Sequence, residues 1–140
     1  MTTSTKIEAG YGRITRIADA SDLAELLFPG NRGHQHAFLV IWFALKWADA
    51  HIVPNLAESA REHGISRRTF ERVRSKMRRL GLIERVSRFS PRLAGSEGWV
   101  LSSRFERGLE QLAGKIGDLK HSHGSNEKEM LLLELADARR

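Results

Sequence analysis

Residues 54–101 read PNLAESAREHGISRRTFERVRSKMRRLGLIERVSRFSPRLAGSEGWVL, and this stretch decides the fold. Pro54 suits a first helical position, where the N–H it lacks has no intrahelical partner anyway. A short helix to about Glu62 follows. His63-Gly64-Ile65 makes a turn, with Gly64 free to take positive φ. Ser66 can cap the next and longer helix, which Gly81 stops just after Leu80. Residues 82–88 and 98–102 alternate enough to be strands, joined by the tip FSPRLAGSE. The order is therefore helix, turn, helix, hairpin.

Helical periodicity then sorts the residues of the longer helix. Phe70, Val73, Met77 and Leu80 share one stripe and must pack inward. Arg68, Arg72, Ser75 and Arg79 fall opposite, with Glu71 and Arg78 alongside. Between Ser66 and Arg92 there are ten Lys or Arg residues and only two acids, Glu71 and Glu84. That segment nets +8 while the whole chain nets +6, leaving about −2 elsewhere. A basic field confined to one helix and its hairpin is the footprint expected of a nucleic-acid surface. Arginine also forks onto phosphate, or onto O6 and N7 of guanine. Glu71 has a simpler use, pairing within the helix with Arg67, Arg74 or Ser75. That use outweighs acceptance from a cytosine amino group.

Working outward, the 140 residues fit one domain with a real core. The chain is 41% hydrophobic and 29% charged, as in ordinary globular proteins. Having no cysteine, it makes no disulfide and no thiolate site, which fits a reducing interior. The opening MTTSTKIEAGYGR has no apolar run of the secretory kind. The longest apolar run, Ala37 to Leu45, is far short of the ~20 residues a membrane helix needs. A cytoplasmic protein without membrane contact is the expectation.

Before the quoted stretch, Ser21 is expected to cap a short helix ended by Pro29-Gly30, and GNRGHQ to form a loop. A helix from His36 to about Ala50 is apolar nearly all round and is expected to be the central scaffold. His51-Ile52-Val53 is a candidate third strand for the hairpin sheet. Trp42, Phe43 and Trp47 are expected as buried packing rather than as a ligand pocket. After the hairpin, a helix from Ser103 to about Leu119 carries Phe105, Leu109, Leu112, Ile116 and Leu119 at spacings of 4, 3, 4 and 3. A last helix holds Met130, Leu131, Leu132, Leu133 and Leu135, and so apolar a terminal helix needs a covering partner. Residues 1–20 are expected as a flexible segment, 21–120 as the domain, and 121–140 as a terminal helix that can serve dimerisation.

Ala60, Gly64, Phe70 and Val73 stand at the spacing helix-turn-helix proteins use for a small inter-helix residue, the turn glycine and two core positions. With the hairpin that follows, the run ISRRTFERVRSKMRRLGLIERV resembles the recognition helix and first wing strand of bacterial winged-helix regulators. The resemblance covers about fifty residues. It implies a mainly α fold with a small β-hairpin or three-stranded wing and extra N- and C-terminal helices. The element order over the whole chain is similar to the MarR-type regulators, whose terminal helices build a homodimer. It departs from them in a shorter first helix and in lacking the acidic-Arg signature at the wing tip.

The resemblance implies sequence-specific binding of double-stranded DNA by a transcriptional regulator. Ser66, Arg67, Arg68, Glu71, Arg72 and Ser75 would face the major groove. Arg74, Arg78 and Arg79 would mostly meet phosphates, and Arg88, Ser90 and Arg92 would reach the backbone or an adjacent minor groove from the wing. A plasmid or phage replication or partition module is one rival, and a winged helix used for protein assembly another. An effector is left open by the sequence. His34-x-His36 and His121-x-His123 sit near expected loops, without cysteine or a well-spaced carboxylate, so a metal is not expected. No Gly-rich phosphate loop, nucleophile elbow or HExxH is present, and neither an enzyme activity nor a cofactor is expected.

Overall fold

The computed structural model describes residues 4–87, 97–122 and 126–138. It is mainly helical: α1 (Tyr11–Thr15), α2 (Ala20–Leu27), α3 (Arg32–Lys46), α4 (Leu56–Glu62), α5 (Arg67–Leu80), α6 (Arg104–His121) and α7 (Asn126–Ala138). Strands β1 (Ile83–Val86) and β2 (Gly98–Leu101) form a two-stranded antiparallel sheet. The chain divides into two compact units, residues 1–105 and 106–140.

Side-chain caps set the helix starts in the first unit. Asp19, Asn31, Asn55 and Ser66 each accept a backbone N–H from the first turn of α2, α3, α4 and α5. Such a cap is worth about 1 kcal/mol. Three of them move boundaries away from expectation. Asn31 starts α3 inside GNRGHQ, so the last four residues of that segment are helix rather than loop, and its cap offsets the cost of Gly33. Asn55 caps α4, which leaves Pro54 one residue before the cap rather than at the first helical position. α2 begins at Ala20 on the Asp19 cap instead of at Ser21. Ser66 and Gly81 bound α5 as the sequence reading has it, Gly81 taking φ 94° and donating its N–H to the Met77 and Arg78 carbonyls.

The core of this unit gathers around α3, which packs against α2, α4, α5 and β2. Phe38, Ile41 and Leu45 of α3 are fully buried, with Leu27, Leu56, Val73 and Met77 among their neighbours in the core. α3 ends at Lys46, short of the expected Ala50. Trp47 therefore lies beyond the packed face: it is 72% exposed and stacks on Phe43 at 4.5 Å. Trp42 and Phe43 are half-buried. The expectation that all three aromatics are buried fails at Trp47 for this reason.

In the sheet, Ile83 faces Leu101 and Val86 faces Gly98. The third strand expected at residues 51–53 is reduced to a single bridge. Val53 N–H donates to Trp99 O at 3.0 Å, and Trp99 N–H to Val53 O at 2.8 Å. A full ladder does not form because Ala50 and His51 take φ of 59°, which turns the chain just before it.

The second unit carries α6 from residue 106 onward, and α7. Leu109, Leu112, Ile116 and Leu119 form the expected stripe on α6, and all four are exposed. Met130 to Leu133 and Leu135 of α7 are exposed as well, among the described residues. No helix of the described residues is long and apolar enough to cross a membrane.

Gly98 marks the tightest backbone approach. It takes φ +148°, and a Cβ there would lie 2.6 Å from Val53 O and 2.9 Å from Pro54 Cα. Gly98→Ala is expected to lower stability by roughly 1–3 kcal/mol from backbone strain alone, with the Val53–Trp99 bridge broken. Urea melts alongside amide exchange at Val53 and Trp99 check this; unchanged protection at both would contradict it.

Candidate nucleic-acid interface

The orientation of α5 follows from what it buries. Phe70, Val73 and Met77 point into the core against α3, α4 and β1. The opposite side is left outside: Ser66, Arg67, Arg68, Glu71, Arg72, Arg78 and Arg79 are exposed, and Ser75 is half-buried. Glu71 accepts from Arg67 Nε at 3.0 Å, one turn away on the same helix. This exposed pair contributes only ~0.3–0.5 kcal/mol. Its consequence is electrostatic, since the ridge's one carboxylate is turned towards Arg67. Arg68, Arg72, Arg78 and Arg79 have no ion-pair partner among the described residues.

One flank of the ridge is the sheet. Arg74 is half-buried there, its guanidinium 4.8 Å from the Phe70 ring centroid and 5.1 Å from that of Trp99. Arg78 approaches the same indole at 5.9 Å. Burial lowers the Arg74 pKa; Glu71 opposes the shift, and Arg78 and Arg85 add to it. So the structure separates Arg74, whose planar group lies on aromatic faces, from the open Arg68, Arg72 and Arg79. Arg88, Ser90 and Arg92 of the hairpin tip lie outside the described residues.

The other flank was not legible in the sequence. Lys76 is only 7% exposed, and its ammonium donates to the backbone carbonyls of Lys6 and Leu27. It also lies 4.5 Å from the Phe28 ring centroid. Burial lowers its pKa. Lys76 thus ties the N-terminal segment to α5, and Glu8 N–H extends the attachment to Leu26 O at 2.7 Å. A groove of about 740 Å³ runs beside it, lined by Arg68, Arg72 and Ser75 from α5 and by Lys6, Asn31 and His34 from the N-terminal segment and the start of α3.

His34, expected in a loop, is a half-buried residue in the first turn of α3, edge-on to Phe28 at 6.0 Å between centroids. Its pKa falls below the usual 6.5 through burial first, then through the charges of Arg72 and Lys76. His36 is exposed on the same helix. No group of three or more residues able to hold a metal occurs among the described residues. Comparison with protein-family models, with curated proteins and with solved structures gives no match.

Lys76→Met keeps the length of the side chain and removes its donors. Two carbonyls lose a charged partner, so stability should fall by about 1–3 kcal/mol. Exchange of the Glu8 amide should accelerate as the N-terminal segment loosens. If Glu8 keeps its protection in the variant, Lys76 is not the tether.

Proposed function

We propose that this protein binds double-stranded DNA as a cytoplasmic transcriptional regulator of the winged helix-turn-helix kind, with α5 as the recognition helix in the major groove. One observation carries the reading. The outward side of α5 is an exposed arginine ridge whose sole acid is held by Arg67, on a helix fixed by its buried stripe. A rigid cationic rod of this width suits the major groove of B-form DNA. In this reading Arg67, Arg68 and Arg72 approach base edges, with Ser66, Glu71 and Ser75 beside them. Arg78 and Arg79 meet the backbone, and Arg74 supports the face from the Trp99 side.

The exposed apolar stripe of α6 and the leucines of α7 support assembly as a homodimer through these helices. Two copies would present two recognition helices to a pseudo-palindromic site.

Binding of a random duplex pool, read by fluorescence anisotropy over a salt series, tests the proposal. The wild-type protein should select a sequence and show a steep salt dependence. Arg68→Ala should weaken specific binding by ~1–3 kcal/mol and relax one base preference. Arg79→Ala should reduce the salt slope by about one and leave the preference alone. Failure of the wild-type protein to bind duplex at moderate salt would turn the reading towards a protein-assembly module.

A further inference from the structure

The groove beside α5 has a chemistry of its own. Four cations line it, Lys6, Arg68, Arg72 and Lys76, against one carboxylate, Glu71. Glu71 is engaged by Arg67 at 3.0 Å and the Lys76 ammonium by two carbonyls. That leaves Lys6, Arg68 and Arg72 as positive charge without an ion-pair partner among the described residues. The Phe28 ring also lines the groove, and apolar surface there weakens the screening that water gives a charge. At about 740 Å³, the groove is of the size that holds small ligands.

The placement of the donors narrows the ligand. Arg68 and Arg72 come from α5, whereas Lys6 and His34 come from the facing segments. An acceptor meeting both walls needs oxygens pointing in more than one direction. A carboxylate presents two oxygens on one edge, but a tetrahedral oxyanion can be gripped from both sides.

We propose that this groove is a phosphate-binding site, in which Arg68 and Arg72 hold the anion from one wall and Lys6 and His34 from the other. The inference goes beyond the reading of α5 as a recognition helix: it assigns the N-terminal segment and the start of α3 to ligand binding, and it places Arg68 and Arg72 on phosphate rather than on the base edges given to them above. The phosphate is either a backbone diester of duplex DNA or the group of a free phosphorylated molecule.

His34 is the natural reporter. Lys6, Arg68, Arg72 and Lys76 line the groove with it, and Glu71 is turned away to Arg67. Burial first, and then the charges of Arg72 and Lys76, disfavour its protonation in the free protein. A bound phosphate reverses the local sign and favours the imidazolium. The bound state then takes up a proton, and affinity rises as pH falls through the His34 midpoint.

The test follows the His34 ring by NMR across about pH 5 to 8 in the full chain, with the resonance assigned by its loss in His34→Gln. Chloride, inorganic phosphate and a short DNA duplex are compared at matched ionic strength. In phosphate or duplex, the midpoint should rise by about one pH unit over chloride. This rise should vanish in Arg72→Ala and Lys6→Ala, each compared with its own chloride baseline. A rise with duplex alone assigns a backbone phosphate, and one with inorganic phosphate assigns a free ligand. No rise with either overturns the site. Intact duplex binding with His34 unmoved by duplex and by inorganic phosphate overturns the groove and leaves the DNA reading standing. A phosphate response in a protein that ignores duplex does the reverse.

Discussion

Burial of Phe70, Val73 and Met77 against α3 is the interaction on which the rest of this structure depends. The outer face of α5 works against the helix. Arg68 and Arg72, Arg72 and Lys76, and Arg74 and Arg78 are like charges one turn apart, and each such pair opposes the helix by a few tenths of a kcal/mol. The Arg67–Glu71 pair works the other way, and Glu71 also favours the charge on Arg74. Fully burying a side chain of this size contributes roughly 1.5–3 kcal/mol, so the three inner residues outweigh the repulsion on the outer face. Their counter-surface is α3, whose Phe38, Ile41 and Leu45 are themselves almost wholly buried.

Fixing the inner stripe fixes the role of every cation on the helix. Arg74 emerges beside the sheet and lies over Trp99, an indole held in register by the Val53 bridge. Lys76 emerges on the other side and is drawn inward to two carbonyls. Between them stand Arg68, Arg72 and Arg79, open to solvent. The ten cations counted in the sequence are thus not equivalent. The two on the flanks stabilise neighbouring chain, and the ridge between them stays available for an external anion.

Local signals account for what the sequence revealed. The 3.6-residue period of Phe70, Val73 and Met77, the Ser66 cap and the Gly81 stop are all written within a few turns of chain, and they place α5 to within a residue. The strands follow less closely, β1 ending at Val86 where 88 is expected, and the apolar stripe on α6 is read directly from its spacing. Competing local signals blurred other boundaries. Pro54 and Asn55 both mark a helix start, and the side-chain acceptor of Asn55 takes the cap. Asn31 overrides Gly33, which carries His34 from a loop into a helix. What stayed hidden depends on pairings distant in sequence. Lys76 meets carbonyls 49 and 70 residues away, and nothing in its own neighbourhood distinguishes it from the solvated arginines. The exposure of Trp47 is hidden likewise, because it follows from where α3 stops packing.

The first turn of α5 is poorly matched to its own helix dipole. A helix N-terminus has a partial positive charge and is stabilised by acids there, by ~0.3–1 kcal/mol each. α5 has none in its first turn and carries Arg67 and Arg68 instead. Its last turn, where Arg78 and Arg79 sit, suits cations. Stability alone accounts for the second placement and argues against the first. Glu71 relieves Arg67 in part, while Arg68 faces both the dipole and Arg72 without relief. An anion brought to this end meets the helix dipole, the Arg68 charge and the groove wall together. The unfavourable arrangement of the free protein thereby becomes favourable on binding, which is the physical reason to look for the ligand at the N-terminal half of α5 rather than along its whole length.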